Sequence, residues 1–374
     1  GSWKVRIVFE KRQSVSRAIR VLVPVMSLVF ALIFGAFLLL VSGVNPFAAY
    51  AAMATGAFGD IDAVAETLVK AIPLMLTGLG VSIAFRMLFW NIGAEGQLAM
   101  GGLAATGVAL YASDILPSWS VLPAAILLGM MAGALWAVIP AALRAYLQVN
   151  ETITTLMMNY IAILLVSHVY HGPWRDPEGY GFPGTARFPE MAWLPRLYNR
   201  AHAGLIFAIL AAAILWIVVQ RTKWGFELRI TGENPKAARY IGINIPRLIL
   251  VTMLVSGGLC GLAGVCEVTG VMRRLQQGLT VGYGYTAIIV AWMSQLNPWG
   301  VLLVSFLLAG MLVGGDQIQM AMGLPAAMGL VMQGALLFPM LGGALFTEYR
   351  LRFLRDSAEE STSSPETVAK ESET

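Results

Sequence analysis

The sequence predicts an all-α fold, a polytopic bundle of about ten membrane-embedded helical segments, and three observations carry that expectation. Hydrophobic residues make up 57% of the 374-residue chain and charged residues only 12%, with a mean hydropathy of +0.71. Soluble domains carry about twice that share of charge. The apolar residues come in runs of roughly 18 to 25, and a helix needs about 20 residues to cross about 30 Å of hydrocarbon. A transmembrane barrel would alternate apolar and polar residues over segments of about 10, a pattern the continuous runs exclude.

Taken in order, the runs place membrane segments at 21–42, 66–88, 97–113, 119–143, 150–170, 202–220, 248–269, 282–296, 299–315 and 323–346, within a transmembrane domain of 21–346. Ahead of them, residues 1–20 carry Lys4, Arg6, Lys11, Arg12, Arg17 and Arg20, a basic segment suited to an anionic cytoplasmic leaflet. The N-terminus is therefore expected inside, and most other basic residues then fall on the same side. Arg175, Arg187, Arg196 and Arg200 in a long outer loop, and Arg273 with Arg274, are the exceptions. The first run is long enough to span and ends without a small-residue cleavage pattern, so it reads as a membrane helix and not a signal peptide. Residues 347–374, polar and acidic from Ser357 onward, are expected to form a disordered cytoplasmic tail. Gly129 with Gly133, Gly257 with Gly261, and Gly310 with Gly314 share GxxxG spacing, which lets helix backbones approach closely.

No catalytic constellation is present. An intramembrane enzyme would need a nucleophile with its base, an HExxH metal site or paired acids at membrane depth, and none appears. Cys260 and Cys266 lie on one predicted helix and point to different faces, so neither disulfide nor metal site follows. His168, His171 and His202 flank the outer loop with no acid or cysteine at ligand spacing and read as interfacial. No lysine follows a glycine, so the phosphate-cradling GxxxxGK[ST] loop is missing. The chain is expected to bind no cofactor and no metal itself.

Two interruptions of the apolar pattern carry function. The first is Asn91-Ile92-Gly93-Ala94-Glu95-Gly96-Gln97, too short for an ordinary loop and polar where the neighbours are not. Backbone freed by its glycines must be satisfied by protein or by a water-filled cavity, so Asn91, Glu95 and Gln97 are candidate pathway residues. Glu95 either faces an aqueous route or holds backbone amides at a half-helix N-terminus. The second is the 220–247 stretch, with six basic residues. In it Asn234 is a predicted N-cap, Pro235 the first helical residue and Gly242 the terminator. Asn150 and Glu151 begin the fifth segment, where a capping role is the plain account. Tyr283 and Tyr285 adjoin a glycine-broken segment and suit either stacking or interfacial anchoring.

These stretches resemble the permease subunits of ABC importers for nucleosides and simple sugars, in the branched-chain amino acid and ribose permease superfamily. The resemblance covers about residues 40–345 and rests on Asn45-Pro46, Gly56-Ala57-Phe58-Gly59, Glu66-Thr67-Leu68, Pro73 to Leu79, Asn91 to Gln97, Val149 to Ile153, Met158-Asn159-Tyr160, Gly232 to Gly242, Gly282 to Ile288 and Asn297 to Gly300. Met87 and Trp90 depart from its usual pattern. It implies a type II-like importer fold with broken or re-entrant helices and two pseudo-repeated halves. It further implies a substrate pathway at Asn91, Glu95, Gln97, Tyr283 and Tyr285, and a helix coupled to an ATPase at Glu233, Asn234, Pro235, Lys236, Arg239 and Tyr240. Asn150 and Glu151 would gate or contact the cytoplasmic partner. The implied partners are an ABC ATPase that uses ATP and Mg, a second permease, an extracytoplasmic binding protein or lipoprotein, and membrane lipids, with no nucleic acid. The implied location is a bacterial cytoplasmic (inner) membrane with both termini inside, and the cargo a nucleoside or, alternatively, a ribose-like sugar. A lone channel or secondary transporter would also use broken helices, but has no need of the docking element at 234–241.

Overall fold

The computed structural model describes residues 4–11, 17–323 and 349–356, together with isolated positions between 331 and 342. Two compact units result. The first gathers the chain's two ends: β1 (Lys4–Lys11), α1 (Arg17–Val41) and β4 (Tyr349–Asp356). β1 and β4 pair antiparallel, Lys4 opposite Asp356 and Lys11 opposite Tyr349. This corrects part of the expected tail, since β4 falls within 347–374. The alternation Tyr349-Arg350-Leu351-Arg352-Phe353 is a strand pattern that a reading by composition passes over. Residues 357–374 and most of the segment expected at 323–346 lie outside the described residues.

The second unit is helical: α2 (Pro46–Phe58), α3 (Ile61–Phe85), α4 (Ala94–Gly107), α5 (Ser118–Leu147), α6 (Glu151–His171), α7 (Gly204–Arg221), α8 (Lys223–Glu233), α9 (Pro235–Tyr240), α10 (Ile245–Cys266), α11 (Tyr283–Met293) and α12 (Pro298–Met322). Between α6 and α7 lie a short 3₁₀ turn at Glu190–Ala192 and a two-stranded ribbon, β2 (Arg196–Tyr198) with β3 (Ala201–His202). Among the described residues six helices, or at most seven, are long and apolar enough to cross a membrane, fewer than the ten segments expected. α11 is the instructive case: its 11 residues span about 16 Å, half the hydrocarbon thickness. α2 was not anticipated, because its 13 residues are too few to stand out as a span.

α3 and α10 occupy the centre. From Ala71 to Phe85 every α3 residue is buried, an all-round burial that only a surrounded helix shows. α10 lies against α5, α4 and α3, and the contacts are between backbones: Gly133 and Gly129 of α5 face Gly257 and Gly261, Gly101 of α4 faces Gly261, and Gly80 of α3 faces the Ser256 carbonyl. α5 shows why this arrangement suits lipid. Its buried stripe is Ala125, Gly129, Gly133, Ala137 and Ala141, spaced by four, while Leu127, Leu128, Met131, Leu135 and Ile139 are exposed. Small residues face helices and large apolar ones face outward, the pattern expected where the solvent is hydrocarbon.

α4 and α10 each end in a π-helical turn, Val108–Ala112 and Glu267–Met272. Arg273, which counted against the expected orientation, follows in a left-handed conformation and lies with its guanidinium 3.9 Å from the Trp193 ring centre.

Candidate functional site

The break between α3 and α4 is a polar block inside an apolar bundle. α3 stops at Phe85, Leu88 takes a positive φ of 58° and α4 begins at Ala94, so residues 86–93 cannot satisfy their backbone by helix bonds alone. Turn bonds, such as that from the Phe89 amide to the Ala84 carbonyl, satisfy part of it, and side chains satisfy more. Asn159 on α6 accepts from the Gly96 amide at 2.8 Å and donates to the Ile92 carbonyl at 2.8 Å. Thr155, one turn earlier, accepts from the Ile92 amide at 3.3 Å.

Asn91, Glu95 and Gln97 are all fully buried. Asn91 Nδ2 donates to Ser256 Oγ at 2.9 Å and to Gln97 Oε1 at 3.2 Å, while Gln97 Nε2 donates back to Asn91 Oδ1 at 3.0 Å. Ser256 Oγ in turn donates to the Gly80 carbonyl at 2.6 Å. The network thus ties the break to α10 and α3. Glu95 does something different. Its Oε1 accepts from the Gly282 amide at 2.8 Å and its Oε2 from the Gly284 amide at 2.5 Å. These amides open α11, where a helix concentrates unsatisfied N–H groups and positive dipole. Glu95 is therefore the through-space cap of the half-length helix, one carboxylate holding two broken segments together.

Of the two tyrosines, Tyr283 is buried in the apolar core, while Tyr285 is partly buried and its hydroxyl accepts from Asn159 Nδ2 at 3.2 Å. Asn150 caps α6 by accepting from the Thr152 amide at 2.9 Å. Glu151 pairs with Arg144 Nε of α5 at 3.2 Å. Asn159, Thr155 and Ser256 complete the site and were not singled out for it, because the groups of the break that they bond lie at least 63 residues away in sequence.

The 220–247 stretch holds two helices where one was expected. Thr222 caps α8, accepting from the Gly225 amide at 3.3 Å. Asn234 then ends α8 and starts α9, accepting from the Lys236 and Ala237 amides at 3.0 and 3.2 Å, with Pro235 in the first turn and Gly242 at φ 83° beyond its end. Ala238 is buried, whereas Glu233, Asn234, Pro235, Lys236 and Arg239 are exposed and Tyr240 is 91% exposed. A Cβ at Gly232 would collide with the Arg86 carbonyl, so the end of α8 rests on the residue that ends α3.

His202, expected at the interface beside the outer loop, is wholly buried in the fold, with its ring against Gly270 and its Nδ1 accepting from the Gly204 amide at 3.2 Å. Burial pushes its pKa down to about 4. The unfolded chain therefore takes up this proton first, so stability is complete above about pH 6.5 and falls as the pH drops towards about 4. The expected slope is up to about 1.4 kcal/mol per pH unit. Thermal melting of the purified chain between about pH 7 and about pH 5 should show the fall, and His202→Gln should flatten it. A flat wild-type profile would show that the ring is hydrated. Asp316 pairs with Lys70, and Glu66 with Arg200 at 3.0 Å. Among the described residues no cluster of three or more His, Cys, Asp or Glu could hold a metal.

The profile of one family, the branched-chain amino acid transport system permease component, matches residues 63–341. The chain belongs to that family. It is 36% identical over 320 residues to a guanosine ABC transporter permease of Bacillus subtilis, covering 83% of this chain and 90% of that one. It is 34% identical over 359 residues to a glucose ABC transporter permease of Haloferax volcanii, covering 93% and 94%. A second guanosine ABC transporter permease of Bacillus subtilis is 28% identical over 251 residues, covering 64% and 77%.

Proposed function

We propose that this chain is the permease subunit of an ABC importer that carries nucleosides across a bacterial cytoplasmic (inner) membrane, with both termini inside. The observation that carries the reading is α9, a self-capped, exposed helix on an element that rests on the end of α3 through Gly232 and Arg86. An exposed helix carried on a segment that abuts the end of α3 is built to pass a push from outside the membrane to the break. A partner ATPase, using ATP and Mg, would supply that push at Glu233, Asn234, Pro235, Lys236, Arg239 and Tyr240. Opening the pathway then requires the Asn91–Gln97–Ser256 bonds and the Glu95 cap to be exchanged for others, a two-state change that the partner biases. Substrate would meet Asn91, Glu95, Gln97 and Tyr285 only after the block parts, with Tyr283 exposed at the same step. Asn150 and Glu151, at the foot of α6, would move with it.

Kinship with two different guanosine permeases of one organism favours a second, homologous permease as partner. An extracytoplasmic binding protein or lipoprotein would deliver the cargo. The glucose permease kinship favours a simple sugar as the second reading.

Uptake of radiolabelled guanosine, adenosine, uridine and ribose into proteoliposomes holding the assembled transporter, with and without ATP, decides between them. ATP-dependent nucleoside uptake supports the proposal, ribose uptake alone moves it to sugars, and ATP-independent flux through this chain by itself replaces it with a secondary transporter. In the same assay, deleting 234–241 should abolish uptake and Arg239→Ala should cut it about tenfold, a loss equivalent to about 1.4 kcal/mol. Membrane insertion should be unaffected by either change. Wild-type uptake by both variants would remove the coupling role.

A further inference from the structure

Beside the turn from α8 to α9 lies a cavity of about 280 Å³ whose lining includes Arg86, Trp90, Arg229, Glu233 and Trp292. Its aromatic side is an assembled wall: Phe85 and Trp90 ring centres are 5.1 Å apart, and those of Trp90 and Trp292 are 5.8 Å apart. Both indoles line the cavity and remain about two-fifths exposed, at 40% and 39%, so the wall leaves aromatic surface open to the space in front of it.

The polar side is unbalanced. Arg86 donates to the Leu296 carbonyl and lines the cavity together with Arg229. Neither guanidinium belongs to any of the ion pairs among the described residues. Arg86 and Arg229 face one carboxylate, Glu233, across the lining, and two cations against one acid in a partly enclosed space are stabilised by an added anion. Guanidiniums suit phosphate in particular, through paired N–H bonds. Indole faces suit a planar aromatic ring.

We propose that this cavity binds a nucleoside 5′-monophosphate, its base against Trp90 and Trp292 and its phosphate at Arg86 and Arg229. Glu233 is in the same lining, and a carboxylate that accepts from N1–H and the 2-amino group of one base together favours guanine, since adenine presents no such pair of donors. The inference stands apart from the transported cargo, because it follows from the cavity's chemistry and its test reads binding. It bears on the coupling path all the same, since Gly232 and Arg86, the joint between α8 and the break, form part of the lining.

The test is equilibrium dialysis of radiolabelled GMP against the full chain in nanodiscs of zwitterionic lipid. Saturable binding is expected, with guanosine and inorganic phosphate each competing about tenfold less well. Arg229→Gln, at an exposed position, and Trp292→Leu should each weaken GMP binding about tenfold while the melting temperature stays near that of the wild type. Absence of saturable GMP binding would overturn the proposal. Equal competition by guanosine would remove the anion site, and equal competition by phosphate would remove the stacking wall. Loss of GMP binding in discs containing anionic lipid would reassign the guanidiniums to a lipid headgroup phosphate. These wild-type arms decide the matter even if a variant fails to fold.

Discussion

Glu95→Ala is expected to abolish ATP-dependent uptake and to cost about 4 kcal/mol of stability, the larger part from one side chain serving two helices. The carboxylate is buried and accepts from the amides of Gly282 and Gly284. Each such bond to a charged acceptor contributes about 1.5 to 3 kcal/mol, and an amide left bare in an apolar interior costs about 1 to 3 more. Alanine removes both bonds at once and leaves the start of α11 with no acceptor in its place. Glu95→Gln should fall between alanine and wild type, because its carbonyl oxygen keeps one amide while its NH₂ group opposes the other. Melting of the purified chain in detergent measures the stability, and proteoliposome uptake measures the function. If Glu95→Ala melted like the wild type, the cap would be dispensable; if it also transported normally, the pathway would run elsewhere.

Half of this arrangement was legible in the sequence. The Asn91–Gln97 break announces itself because glycines and polar residues interrupt an apolar run, and Glu95 at a half-helix N-terminus was one of two readings left open. Which half-helix could not be read. Gly282 and Gly284 are 187 and 189 residues away, and no local pattern joins a carboxylate to amides at that distance. Ser256 was hidden for the same reason, since a single polar residue in a long apolar helix gives no periodicity to detect, and Asn159 stood out within its motif without showing that it serves the break 63 residues away. α9 lies at the other extreme. Its Asn234, Pro235 and Gly242 signals act within a turn of the backbone they cap, so local sequence suffices. The length of each span is intermediate, since hydropathy registers α11 as an apolar segment without showing that it is only half a span long.

The glycines show the same division between motif and contact. GxxxG spacing pointed to Gly129, Gly133, Gly257 and Gly261, yet the tightest approach is at Gly264, which the spacing alone did not mark. A Cβ at Gly264 would collide with the Leu98 carbonyl of α4 and lie 2.7 Å from the Gly102 amide nitrogen. Neither atom belongs to a flexible side chain, so neither can turn away. α10 would have to separate from α4, and with it from the Gly101–Gly261 contact one turn earlier. Separation would also stretch the Asn91 bond to Ser256, which is carried on the same helix. Gly264→Ala is therefore expected to cost at least about 3 kcal/mol, as overpacking against a rigid neighbour does, and Gly264→Leu to leave no folded chain. Gly258 supplies the control on the same helix: its nearest neighbour beyond α10 would be the Met130 carbonyl at 3.8 Å, an ordinary contact. Gly258→Ala should be neutral, or stabilising by about 0.4 to 1 kcal/mol through the unfolded chain. Comparing the monodisperse yield and melting temperature of the two alanine variants separates a loss of helix-to-helix approach from a general intolerance of α10. Equal behaviour of Gly264→Ala and Gly258→Ala would mean that α4 and α10 do not meet backbone to backbone.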